Sequence, residues 1–138
     1  MRTLRMTAVM MSVGLLASVA VAGAHENHTP HVYIIEPADG ATTDRTVKVV
    51  MGVEGMQVRP AGEVVAGTGH HHLMIDGDFI PRGETVPKDA THLHFGKGQT
   101  ETTIQLTPGR HTLTLQFADG HHASYGKAMS RTVHITVR

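Results

Sequence analysis

The sequence predicts an all-β domain, an immunoglobulin-like antiparallel β-sandwich of about seven strands. Apolar and polar residues alternate with a period of two along several segments, and this is the pattern of a half-buried strand. After residue 24 no segment shows a sustained helical apolar stripe, and Asp-Gly or Pro-Gly turn signals separate the alternating segments. A cupredoxin-like barrel is the alternative, because strand patterns do not distinguish Greek-key variants.

Three segments give the most regular alternation. Residues 46–54 place valines and a methionine on one face, while Lys48 and Glu54 face the other way. Residues 111–117 and 132–137 follow the same rule, with leucine, phenylalanine, valine and isoleucine alternating with threonine. Shorter predicted strands are 32–36, 70–76, 91–95 and 101–106, and the turn signals are Asp39-Gly40, Asp76-Gly77, Pro108-Gly109 and Asp119-Gly120.

The N-terminal segment has the features of a secretory signal peptide. Arg2 and Arg5 precede an apolar run over residues 6–21, and Ala22-Gly23-Ala24 is a small-x-small cleavage pattern. We therefore predict a periplasmic or secreted protein. The predicted divisions are a signal peptide at 1–24, a polar, histidine-containing leader at 25–31 and the β-sandwich domain at 32–138.

The amino-acid composition limits the partners and the metal ligands that can be expected. The chain has 138 residues, with 12 Lys+Arg, 12 Asp+Glu, 12 His and no cysteine. No basic stripe is present, so nucleic acid is not an expected partner. No apolar stretch after the signal segment is long enough to span a membrane, and nothing in the sequence identifies a protein partner. Without a thiolate, a bound metal ion would need His, Met, Asp or Glu ligands.

The histidines are clustered, and the run His70-His71-His72 is the most informative motif. Leu73 and Ile75 predict the core-facing side of this strand, which places His71 inward and leaves His70 and His72 on the opposite face. Two residues along a strand separate Cα atoms by about 6 to 7 Å, a spacing at which two imidazoles can bind one ion.

A second His-x-His pair lies on the next predicted strand. Leu93 and Phe95 face the core there, so His92 and His94 point away from it. If the two strands are neighbours, the two pairs converge, and His122 can join them from the loop after Asp119-Gly120. Met74 shares the face of the first pair, and a thioether next to imidazoles favours copper over zinc. The predicted metal ligands are His70, His72, His92, His94, His122 and Met74.

We therefore predict a protein that binds a transition-metal ion, copper rather than zinc, without catalysis. One alternative is a structural or protein-interaction domain whose histidines serve hydrogen-bond networks without metal. Another is a copper oxidase or oxygenase in which cleavage after Ala24 exposes His25, whose α-amine and imidazole chelate copper together as a histidine brace.

Several longer blocks resemble the family called domain of unknown function 4399 (DUF4399). They are Glu36-Pro37-Ala38-Asp39-Gly40, residues 52–62, Gly69-His70-His71-His72-Leu73-Met74-Ile75-Asp76 and residues 94–101. The resemblance extends over about residues 32–138, and it implies a small exported bacterial protein with a β-rich domain. Where the family pattern has Asp-His-x-His, this chain has Asp119-Gly120-His121-His122.

Overall fold

The computed structural model describes residues 28–138. The predicted signal peptide, its cleavage site and the histidine brace at His25 lie outside the described residues. The fold prediction is confirmed, since the described chain is essentially all β and forms two packed, mainly antiparallel sheets.

All seven predicted strands are present, and two further strands of two residues each occur at sheet edges. The strands are β1 (His31–Glu36), β2 (Thr42–Thr43), β3 (Thr46–Glu54), β4 (Gln57–Val58), β5 (Thr68–Ile75), β6 (His92–His94), β7 (Glu101–Gln105), β8 (Gly109–Ala118) and β9 (Ser130–Val137), with one 3-10 turn at Lys127–Met129 before β9. In residues 28–138 we find no helix with the length and apolar character needed to cross a membrane.

The strands form a three-stranded sheet, β1-β3-β7, and a six-stranded sheet ordered β2-β9-β8-β5-β4, with β6 also paired to β5. The long strands pair antiparallel, and the short edge strands β2 and β4 pair parallel to their neighbours. The strand β8 lies between β5 and β9, so it is the centre of the larger sheet.

The main core lies between the two sheets and is built from the apolar face of each strand. The residues that the alternation assigned to that face are buried, because each strand turns one side towards the opposing sheet. They include Val47, Val49 and Met51 of β3, Leu113, Leu115 and Phe117 of β8, and Val133, Ile135 and Val137 of β9.

The outer face of the larger sheet is buried as well where β5 and β8 meet, because the chain around residues 78–88 and 119–126 folds over it. Gln116 of β8 connects the sheet to these covering segments by hydrogen bonds. Its Oε1 accepts a hydrogen bond from the Ile80 amide at 3.0 Å, and its Nε2 donates to the Gly126 carbonyl at 3.0 Å. Ser124 Oγ donates to the Ile80 carbonyl at 2.7 Å. The β5 side chains that point away from the sandwich core therefore lie in a second interior.

Candidate metal centre

Three strand-borne histidines meet on this covered face because of the strand register. In β5, His70 and His72 are two residues apart and point the same way. The antiparallel pairing of β5 with β6 sets His72 directly opposite His94, so these two side chains share a face. His122, from the loop after β8, completes the group.

The four side chains converge on one small volume. Each offers one ring nitrogen, and these nitrogens all lie within 4.8 Å of one another. His70 Nε2 lies 3.0 Å from His72 Nε2 and 3.1 Å from His122 Nδ1. The ring centroids are separated by 4.7 to 5.8 Å. We call His70, His72, His94 and His122 the histidine group.

Hydrogen bonding among the rings does not satisfy their nitrogens. His70 Nε2 has two nitrogen neighbours, but an imidazole nitrogen carries either one proton or one lone pair and cannot make two good hydrogen bonds. Nε2 of His94 and Nδ1 of both His70 and His72 are buried without a hydrogen-bond partner. A cation would give the crowded lone pairs of His70 Nε2, His72 Nε2 and His122 Nδ1 a common partner, whereas the unpaired Nδ1 of His70 and of His72 is the other nitrogen of each ring.

The geometry fits a metal ion. With metal–nitrogen bonds of about 2.0 Å, tetrahedral ligation puts neighbouring nitrogens about 3.3 Å apart. The two close nitrogen contacts are slightly shorter than that, and the widest separation within the group is longer, at no more than 4.8 Å. Side-chain shifts of about 1 Å or less would bring four nitrogens to bonding distance. The histidine group could therefore hold a metal ion.

Burial also keeps His70, His72 and His94 in their metal-binding protonation state. Desolvation lowers the pKa of His70 to about 4 and that of His72 to about 3, and the neighbouring imidazoles add to both shifts. The pKa of His94 is lowered by burial, by His122 and by the positive charge of Lys88. These three rings are neutral at pH 7, so their lone pairs are available without loss of a proton.

A strained turn positions the fourth ring. His122 has φ of +68°, the left-handed region that costs a non-glycine residue about 1 kcal/mol or more. Asp119 fixes the turn, because its carbonyl accepts the His122 amide at 3.0 Å and its Oδ1 accepts the His121 and Ala123 amides. The His122 carbonyl accepts the Val86 amide at 2.9 Å. The fold thus holds a histidine where glycine would cost less.

This strain gives a prediction that separates binding from stability. His122→Gly and His122→Ala remove the same imidazole, but only glycine removes the Cβ that opposes a positive φ. Both variants should lose metal affinity equally, while His122→Gly should unfold with a free energy about 1 kcal/mol higher than His122→Ala. Urea unfolding and metal titration of the two proteins test this. Equal stability of the two variants would contradict the assigned strain.

The comparisons with known proteins bear on this part of the chain. The model for the family described as "Domain of unknown function (DUF4399)" matches residues 49–138. The chain belongs to the DUF4399 family. The predicted family is thereby confirmed over residues 49–138, which leave out the block at residues 36–40 and include the whole histidine group.

Among solved structures, the chain is similar to the endo-beta-1,4-mannanase from Thermotoga petrophila, with a TM-score of 0.52 and 15% identity. The match covers 84% of this chain and 21% of the mannanase chain, so this protein corresponds to about a fifth of that enzyme. At this identity the likeness concerns the fold alone. A comparison with curated proteins gave no match.

Two of the predicted ligands lie apart from the histidine group. The β5–β6 register sets His92 opposite Met74, two residues along the strands from the His72–His94 pair. His92 Nδ1 instead contacts Asp89 Oδ1 at 2.8 Å. Met74 packs with Val86 and Ala118 in a small apolar cluster under the covering segment. Of the predicted ligands, the structure brings together His70, His72, His94 and His122.

His71 points into the sandwich core, as the alternation predicted. Its ring lies against Phe117, with centroids 5.1 Å apart, and the side chain is completely buried. Neither ring nitrogen of His71 has a hydrogen-bond partner. Burial lowers the pKa of His71 to about 4, and the ring is neutral at pH 7.

A wider surface groove, of about 540 Å³, lies elsewhere on the domain and does not reach the histidine group. Its lining includes His111 and His134, but each contacts a carboxylate. His111 Nδ1 lies 2.8 Å from Asp76 Oδ2, and His134 Nδ1 lies 3.3 Å from Asp39 Oδ1. Because both histidines already contact carboxylates, this groove is a weaker candidate for a metal site than the histidine group.

Proposed function

We propose that this DUF4399 protein is an exported metal-binding protein that holds one copper ion with His70, His72, His94 and His122, without catalysing a reaction. The observation that carries the proposal is the convergence of four imidazole nitrogens within 4.8 Å, with His70 and His72 buried and His94 and His122 partly exposed. A structural role for the same histidines would favour rings bonded separately to backbone groups. Instead, Nε2 of His70 and of His72 and Nδ1 of His122 face one another, and neither His70 nor His72 has a ring nitrogen bonded to a backbone group.

Copper is preferred over zinc on the chemistry of the donors. The histidine group offers only imidazole nitrogen, which suits both ions, and divalent copper binds a given nitrogen site more tightly than zinc does. Tightly bound zinc in structural sites is commonly held by thiolates, and the sequence contains no cysteine. The proposed export rests on Arg2, Arg5, the apolar run and the small-residue cleavage pattern.

Metal titration of the purified chain tests the proposal. Cu(II), Cu(I) and Zn(II) are titrated against a competing chelator into wild type, His70→Ala/His72→Ala and the matched control His31→Ala/His134→Ala, which removes two imidazoles outside the group. Wild type and control should bind one ion, Cu(II) more tightly than Zn(II). The first variant should bind it about 100-fold more weakly or worse, because even outer-shell partners of a metal typically contribute roughly 10- to 100-fold.

Equal, weak binding by all three proteins would remove the metal-binding function. The paired alanine substitutions open space in a buried region, so His122→Gly provides a second route to the same loss of affinity. That variant deletes a ligand on a loop and relieves its backbone strain. Retained affinity in a folded His122→Gly protein would show that His122 is not a ligand.

A further inference from the structure

A small cavity leads from the protein surface to the histidine group. It measures about 160 Å³ and is lined by His72, Val86, Lys88, His94 and His122. Three of the four proposed ligands therefore face the cavity. At about 30 Å³ for each water in the liquid, it has room for a few water molecules or for one small anion next to the ion.

The charges around this cavity are unbalanced once a metal ion binds. Four neutral imidazoles leave the full charge on a divalent ion. The ammonium of Lys88 lines the same space, and its charge acts on His94. Within residues 28–138, no carboxylate lies within ion-pair distance of Lys88.

Asp119 is the carboxylate that acts electrostatically on the histidine group, through His70. Its Oδ1 already accepts two backbone amides of the turn that carries His122. Asp119 therefore supports the loop, and as a single carboxylate it cannot neutralise both a divalent ion and an ammonium. An additional negative charge in the cavity would lower the free energy of the loaded site.

We propose that the metal-loaded site binds a small anion in this cavity, coordinated to the metal and paired with Lys88. This inference rests on the proposed function, because the anion needs the ion. The ligand class is a small inorganic anion or a compact carboxylate, which matches the volume and supplies one negative charge between two positive ones. The site would thus recognise an exogenous ligand as well as a metal.

Azide titration of the copper-loaded chain tests this inference. Cu(II) loading is measured first, and azide binding is then followed by its charge-transfer absorption and by electron paramagnetic resonance. Wild type should bind one azide per copper, and Lys88→Gln should bind it about tenfold more weakly, a difference of about 1.4 kcal/mol. The matched control is Lys48→Gln, which removes an exposed lysine paired with Glu101 on the other sheet.

The outcomes separate the two proposals. If wild type takes up one Cu(II) but binds no azide, or if Lys88→Gln binds azide as tightly as wild type does, the anion site is wrong and the proposed function stands. If wild type takes up no Cu(II) at the histidine group, both proposals are wrong. A loss of azide affinity in Lys48→Gln as large as that in Lys88→Gln would show a general charge effect and would also overturn the anion site.

Discussion

Copper is expected to raise the unfolding temperature of the wild-type chain by about 15 °C when free ion exceeds the dissociation constant roughly 1,000-fold. A ligand at that excess stabilises the folded state by about 4 kcal/mol, and each kcal/mol is worth about 4 °C in a domain of this size. The reason is structural, since the four ligands come from β5, β6 and the loop after β8. An unfolded chain does not hold these residues together, so the ion binds the folded state preferentially.

Thermal unfolding with and without Cu(II) measures this effect. The control His31→Ala/His134→Ala should show the same rise as wild type, because both imidazoles lie outside the histidine group. His70→Ala/His72→Ala should show almost none at equal metal concentration. A similar rise in both double variants would mean that copper stabilises the protein by binding elsewhere, and it would contradict the assigned ligands.

Acid is expected to destabilise the metal-free chain steeply between pH 6.5 and about 4. Burial holds the pKa of His70 and His71 at about 4 and that of His72 at about 3, against 6.5 for a free imidazole. In this window the unfolded state binds more protons than the folded state, so the free energy of unfolding falls as the pH falls. The stability is fully present above pH 6.5 and is lost as the pH approaches the folded values.

His71→Leu isolates one part of this acid response. The His71 imidazole has no hydrogen-bond partner and lies against Phe117, so leucine should be tolerated at pH 7. A pKa of about 4 for His71 corresponds to at most about 3 kcal/mol of stability lost on acidification, and the variant should lack this loss. Urea unfolding of both proteins at pH 7 and pH 4 measures the difference.

The His111–Asp76 pair changes stability with pH in the opposite direction, so its contribution must be measured separately from that of the buried histidines. The pKa of His111 is raised, chiefly by its hydrogen bond to Asp76, so its stabilisation is present at low pH and is lost as the pH rises through the folded value. His111→Gln should therefore leave the acid response of the buried histidines in place.

An identical pH dependence in wild type and His71→Leu would contradict the assignment of His71 as a buried neutral ring.

The sequence predicts the fold well because each long strand has one apolar face. The period-two pattern places strands at β3, β8 and β9 and identifies the residues that fill the space between the sheets. The strands β2 and β4 were not predicted, since two residues are too few to show any period. Their pairing depends on neighbouring strands, and alternation within a segment does not report it.

The candidate site could be predicted only in part, for a related reason. Alternation separates the outward His70 and His72 from the inward His71, because it depends on one strand at a time. The choice of His94 over His92 depends on the register between β5 and β6, which the local sequence does not specify. Burial by residues 78–88 and the approach of Lys88 are tertiary features, and no local sequence signal indicated them.

X-ray absorption spectroscopy of the copper-loaded chain identifies the atoms that bind the ion. We expect one tightly bound copper per chain with at least three imidazole nitrogens at about 2.0 Å, and loss of that signature in His70→Ala/His72→Ala. A copper environment made of oxygen ligands, or the same imidazole signature in wild type and in the His70→Ala/His72→Ala variant, would contradict a metal centre at the histidine group.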